Sequence, residues 1–132
     1  MRLPADEAWS LLRASDHGVL ATVHAERGVD AVPVVFAVDG ERILVPVDTV
    51  KAKSTTRLQR LVNLAHDPRC VLLVDHYDDD WSQLWWVRVH ATATVVDGRA
   101  EALTAFPAYR EADAVTATIV LEPGAVTGWR AG

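Results

Sequence analysis

Two Asp-Gly pairs, Asp39-Gly40 and Asp97-Gly98, each end a run rich in β-branched and apolar residues. Asp-Gly tolerates the positive φ that a tight turn needs, and beside such runs it is the strongest short-range hairpin signal in a sequence. Around these turns the chain divides into Gly18–Ala25, Asp30–Val38 and Glu41–Asp48, which read as three strands. Arg69–Asp75 and Leu84–Val96 read as a fourth and a fifth. Val115–Leu121 and Ala125–Trp129 complete the set around a turn at Glu122-Pro123-Gly124.

Three segments carry helical signals instead. Pro4 suits an early helical position, and Ala8, Trp9, Leu11 and Leu12 give the first segment an apolar side before Ser15–Gly18 stops it. In the second, Ser54 or Thr55 serves as N-cap, and Leu58, Leu61, Val62 and Ala65 fall at i, i+3, i+4 and i+7 as the expected buried stripe. Arg99–Arg110 makes a third helix, with Leu103, Phe106 and Ala102 inward and Pro107 able to shorten it. About seven strands joined mostly by hairpins, with about three helices, predict an α+β fold that is mainly β. The expected architecture is an antiparallel barrel forming one domain over residues 1–132.

A 132-residue chain, half hydrophobic and 23% charged, can bury a core without staples. Its net charge of −5 speaks against general nucleic-acid binding, which draws on clustered Lys and Arg. No stretch approaches the length of a membrane span, no signal-peptide core is visible, and Cys70 is the only cysteine. The expectation is a cytoplasmic protein. Cys70 sits in an apolar strand and reads as core.

Charge is uneven, however. From Thr49 to Arg69 there are five bases (Lys51, Lys53, Arg57, Arg60, Arg69) against the single acid Asp67, whereas Asp75–Asp80 holds four acids and no base. Cations beside a helix N-terminus suit a small anion, because the free N–H groups and the helix dipole favour negative charge there. Lys51, Lys53, Arg57 and Arg60 are thus either a phosphate clamp or a solvated helix face paired with nearby acids. Asp78, Asp79 and Asp80 read as a solvated loop, and the five scattered histidines lack ligand spacing. Glycine-rich nucleotide loops, the G-x-S-x-G elbow and H-E-x-x-H are all missing. Trp85 and Trp86 are adjacent on a strand, so one of them points outward, toward a covering helix, a ligand or a partner.

Several stretches in order carry a family likeness: Gly18-Val19-Leu20-Ala21-Thr22, Val32-Pro33-Val34-Val35-Phe36 before Asp39-Gly40, and the basic helix running into Asn63-Leu64 and Asp67-Pro68-Arg69. Val71–Asp75, Asp80-Trp81-Ser82, Trp86-Val87-Arg88-Val89 and Val126-Thr127-Gly128-Trp129 follow. Over nearly the whole chain this resembles the pyridoxamine 5'-phosphate oxidase-like split β-barrels, specifically the flavin/deazaflavin oxidoreductases of actinobacterial type. The resemblance implies coenzyme F420 as cofactor, with FMN in neighbouring branches, and a homodimer with cofactor sites at the subunit interface. It implies hydride transfer to a small conjugated organic acceptor. Counted forward from the third strand, Lys53 matches the family's phosphate-binding lysine; counted back from Asp67-Pro68, Arg60 does. The implied clamp is Lys53, Arg57 and Arg60, with Lys51 nearby and a hydroxyl from Ser54 or Thr55. Val32, Pro33, Val34, Val35, Val47 and Asp48 would line the ring through backbone contacts, and Trp81 would reach the cofactor or its dimer-related copy. No catalytic residue is assigned. The alternatives are an FMN-dependent oxidase or reductase and a non-catalytic flavin- or haem-type ligand-binding protein.

Overall fold

The structure is a computed structural model that describes residues 1–48, 58–107, 110 and 115–132. Helix α1 (Ala5–Arg13) leads into strands β1 (His17–His24), β2 (Gly28–Val35), β3 (Ala37–Asp39) and β4 (Arg42–Asp48). Helix α2 (Gln59–His66), β5 (Arg69–His76), β6 (Trp85–Asp97) and β7 (Val115–Arg130) follow. Short 3-10 turns occupy Trp81–Gln83 and Glu101–Ala105. All seven strands join one antiparallel sheet in the order β2-β1-β5-β6-β7-β4-β3.

The sheet curls because one face of every long strand points to a common interior. Leu20, Val34, Ile43, Val45, Leu72, Val87, Val89, Ile119 and Leu121 all belong to one buried cluster with Phe36. Its edge strands β2 and β3 are consecutive in the chain, separated only by Phe36, and do not pair with each other. The ring is therefore open at that seam, as a split barrel is. α1 packs on β7, β3 and β6, and α2 on β1 and β6. Leu44, Leu103 and Val115 form a second small core, so β4 is apolar on both faces.

The expected seven strands are present, but their membership differs. Asp30–Val38 is broken at buried Phe36 into β2 and β3, whereas the turn expected at Glu122-Pro123-Gly124 lies inside the continuous β7. There the register shifts between Val89 and Ala91 of β6, with Pro123 opposite Ala91. A bulge absorbs the proline's missing N–H, so the strand runs on. At the β3–β4 turn Asp39 pairs with Arg42, which leaves Gly40 and Glu41 as the two-residue loop. Gly40 alone has positive φ, 61°, the pattern of a type II′ turn.

Two helical expectations are corrected. The expected third helix is a single 3-10 turn over Glu101–Ala105; Leu103 is nevertheless buried, and Ala102 and Phe106 pack beside it. Pro107 is compatible with no longer helix, since its ring excludes the preceding residue from α geometry. α2 begins at Gln59, after Leu58 in extended backbone, and not just after Ser54 or Thr55. Its buried residues are Asn63 and Leu64; Leu58 and Leu61 are partly buried, while Val62 and Ala65 are exposed. The stripe is thus rotated toward Asn63, because a polar network claims that side chain.

Candidate functional site

Asn63 is buried, and its amide is the hub of a network between α2 and the β1–β2 hairpin. Its Nδ2 donates to Thr22 Oγ1 at 2.9 Å and to Asp30 Oδ2 at 2.8 Å, and its Oδ1 accepts from Gln59 Nε2 at 2.8 Å. Arg27 closes the set by donating Nε and Nη2 to the two Asp30 oxygens, both at 2.8 Å. These bonds hold the Asp30 carboxyl below its usual range, Arg27 first and Asn63 second, and Asp30 in turn raises Arg27. The hairpin that presents both is itself tied: His24 Nδ1 accepts from the backbone N–H groups of Glu26 and Arg27.

Beside this network is a cavity of about 230 Å³ lined by Thr22, Arg27, Asp30, Val32, Gln59 and Arg60, with Ala31 at its border. Gln59 and Arg60 are the first two residues of α2, so the helix start faces the space. The described lining carries two guanidinium groups and one carboxylate. That arrangement suits a small dianion or monoanion with hydrogen-bond acceptors, such as a phosphate group.

Val32 and Arg60, expected on independent grounds from segments far apart in sequence, meet at this cavity. Val32 also packs on the core, Val34 is buried, Pro33 is exposed and Val35 is half-buried. Val47 points into the core, and Asp48 is the last residue of β4, where a bulge shifts its pairing to Val115. Lys51, Lys53, Ser54, Thr55 and Arg57 lie outside the described residues. Trp81 does not line the cavity. It is 70% exposed on a 3-10 turn whose cap is Asp80, with Oδ1 accepting from Ser82 N–H and Oγ–H.

Sequence reasoning missed Thr22, Arg27, Asp30, Gln59 and Asn63. A signal existed for three: Arg27 and Asp30 stand three apart across a turn with opposite charge. For Asn63 the sign was a polar residue inside an otherwise apolar helical stretch.

The two tryptophans divide as the alternation requires. Trp85 packs on the core and stacks on His76 at 6.2 Å between ring centroids. Trp86 is on the opposite face, beneath the Arg88 guanidinium at 5.0 Å and beside Trp129 of β7. Cys70 is buried, and burial pushes its thiol up to about 11. Among the described residues no helix is long and apolar enough to cross a membrane.

A family model described as pyridoxamine 5'-phosphate oxidase matches residues 5–130. Among solved structures, the FAD binding protein from Mycobacterium smegmatis is 27% identical with a TM-score of 0.67, covering 98% of this chain and 97% of that one. An FAD-binding protein from Mesorhizobium loti has a TM-score of 0.74 at 14% identity, covering 97% and 95%. An F420 reductase has a TM-score of 0.66 at 24% identity, covering 89% and 93%. The last two likenesses are of fold alone. No curated protein matches the chain.

Proposed function

The chain belongs to the pyridoxamine 5'-phosphate oxidase family, matched over residues 5–130, and from that premise we propose a cytoplasmic oxidoreductase with one flavin-binding domain over residues 1–132. It holds a phosphate-bearing flavin or deazaflavin and serves hydride transfer with a small conjugated organic acceptor. The observation that carries the reading is the cavity at the start of α2, where Arg60 and Val32 meet Arg27 and Asp30. A space of about 230 Å³ fits a phosphate and the first atoms of its chain, not a tricyclic ring. The ring therefore extends away along β2, past the backbone of Val32–Val35, toward the border with a second copy of the chain.

Coenzyme F420 is our first assignment, on the resemblance to the deazaflavin branch over nearly the whole chain alone; FMN is the second. A flavin in place of a deazaflavin is supported by the likeness to the M. smegmatis FAD binding protein, at 27% identity over nearly the full chain. When bound, the cofactor supplies the hydride chemistry. The chain's own part is to neutralise the phosphate through Arg60, with Lys53 and Arg57, and to fix its position. Arg27 is held at the cavity wall by Asp30, which Asn63 holds in turn, so this cation is in place before the ligand arrives. Asp30, the carboxyl that lines the cavity, is held below its usual range by Arg27 and Asn63 and so is no general acid, which leaves solvent to supply the proton.

Replacing Lys53, Arg57 and Arg60 together with alanine tests the clamp. Deazaflavin affinity falls at least tenfold while the far-UV circular dichroism is unchanged; an unaltered titration curve overturns it. The spectrum of the purified protein separates the two cofactor readings: copurified yellow FMN supports the second, and a colourless protein that quenches added F420 fluorescence supports the first.

A further inference from the structure

The loop that carries Arg27 is tied to a titratable ring. β1 and β2 pair as far as His24 and Gly28, which leaves Ala25, Glu26 and Arg27 as a three-residue loop closed by Gly28 at a φ of 98°. Within it the backbone N–H groups of Glu26 and Arg27 donate to His24 Nδ1 at 3.0 and 3.1 Å. Among the described residues no main-chain carbonyl accepts from either. Asn and Asp commonly hold a turn in this way, their Oδ1 accepting from the backbone two residues on. Nδ1 of histidine stands at the same branch point, so His24 fills the place of such a residue with a group that can take a proton.

Two donors at Nδ1 require its lone pair, so the neutral ring carries its hydrogen on Nε2. The imidazolium has N–H at both positions and accepts neither bond. Imidazole is also the side chain that changes charge between about pH 5 and pH 8. The consequence falls on Arg27. Its side chain is 58% exposed, and an exposed ion pair by itself contributes little against the entropy of holding a long side chain. The two-pronged pair with Asp30 therefore persists only while the backbone at Arg27 is fixed.

We propose that His24 is a positioning residue for the cavity at the start of α2 and acts as a proton-sensitive latch: the neutral ring fixes the loop with Arg27 against Asp30 at the cavity wall, and protonation releases it. On the reading that this cavity takes the cofactor's phosphate, acid then weakens binding by withdrawing one of the two guanidinium groups described there. The charged or titratable groups on the segments packed at this end of β1 are Glu26 and Arg27 of the loop, Asp30 of β2, Arg60 and His66 of α2, and Asp67 and Arg69 where α2 turns into β5. Glu26 is exposed to water and Asp67 is paired with Arg69, which leaves Asp30 as the carboxylate that the charged ring attracts. There it competes with Arg27, so both effects of the proton loosen the same cation.

The test measures the affinity of the full chain for FMN and for coenzyme F420 between about pH 7.5 and pH 5.5, with the backbone amide NMR spectrum recorded on the same samples. In His24→Asn, Oδ1 accepts the same two bonds and takes no proton, while ionisation of the ligand is common to both proteins. Over that range wild type weakens about fivefold to tenfold relative to His24→Asn, the two being alike at the upper end. His24→Ala, with unchanged circular dichroism, is weaker than His24→Asn by about the same factor at every pH. In an Arg27→Gln background, wild-type His24 and His24→Asn follow one pH profile. The Glu26 and Arg27 amide signals shift with the midpoint of the His24 ring and stand still in His24→Asn. Parallel pH profiles for wild type and His24→Asn, equal affinity of His24→Ala and His24→Asn, or loop amides that ignore the ring overturn the proposal. A wild type that binds neither FMN nor F420 at any pH sinks the cofactor reading alone, and the amide shifts still decide whether His24 latches the loop.

Discussion

Replacing Asn63 with leucine keeps nearly the same volume but removes three hydrogen bonds from the junction of α2 and the β1–β2 hairpin. Thr22 is buried, so its hydroxyl is stranded, at a cost of about 2 kcal/mol, and the lost amide pair with Gln59 costs about 1 kcal/mol more. Asp30 sits at the wet rim and turns to water, so it adds nothing to this figure. The expected loss is about 3 kcal/mol, which at a slope near 1.5 kcal/mol per molar moves a urea midpoint down by about 2 M. Thr22→Val in the Asn63→Leu background removes the stranded hydroxyl, so the double variant is more stable than the sum of the singles predicts by about 1–2 kcal/mol. Equilibrium unfolding followed by tryptophan fluorescence reads both numbers. A single-variant loss under about 1 kcal/mol, or strict additivity, refutes the network.

Gly18→Ala puts a Cβ 2.6 Å from the Leu73 carbonyl oxygen, and backbone must yield; thermal unfolding shows a loss of about 2–3 kcal/mol. Cys70, with its thiol pushed to about 11, is barely ionised at neutral pH, so an aromatic disulfide reagent leaves the folded protein unmodified and reacts fully in urea. Fast labelling of the native chain contradicts its burial. Asp67 is held down to about 2, chiefly by Arg69, against 3.8 for the free side chain. A depressed carboxyl stabilises the fold above its unfolded pKa and loses that contribution as pH falls through the folded one. Asp67→Asn therefore flattens the decline of stability between pH 4 and pH 2, and an unchanged acid limb refutes this.

The strands were legible because alternation is a local signal: Leu20, Leu72, Val74, Val87 and Val89 point inward as their spacing requires. Pro123 misled because a bulge next to it, with Gly124 and Ala125 of β7 opposite the single His90 of β6, decides whether a proline ends a strand or rides within it. Arg99–Arg110 misled because Leu103 and Phe106 bury equally well from a 3-10 turn against β4. The cavity was half legible. Arg60 and Val32 stood out by charge and by family pattern, but Thr22, Arg27 and Asp30 reach them only through the packing of a hairpin on α2. No spacing within one segment encodes a contact across some thirty residues, and Asn63 is the side chain that makes it.

The central claim is that this chain recognises the phosphate of a flavin-type cofactor. The most direct measurement titrates the purified protein with FMN and riboflavin, and with a deazaflavin carrying or lacking its phosphate, each pair differing at the anionic end. Charge-assisted hydrogen bonds to Arg60 and its neighbours predict at least about tenfold tighter binding of the phosphorylated member in the pair that binds. Equal affinity within both pairs, or no saturable binding of any of the four, contradicts the account.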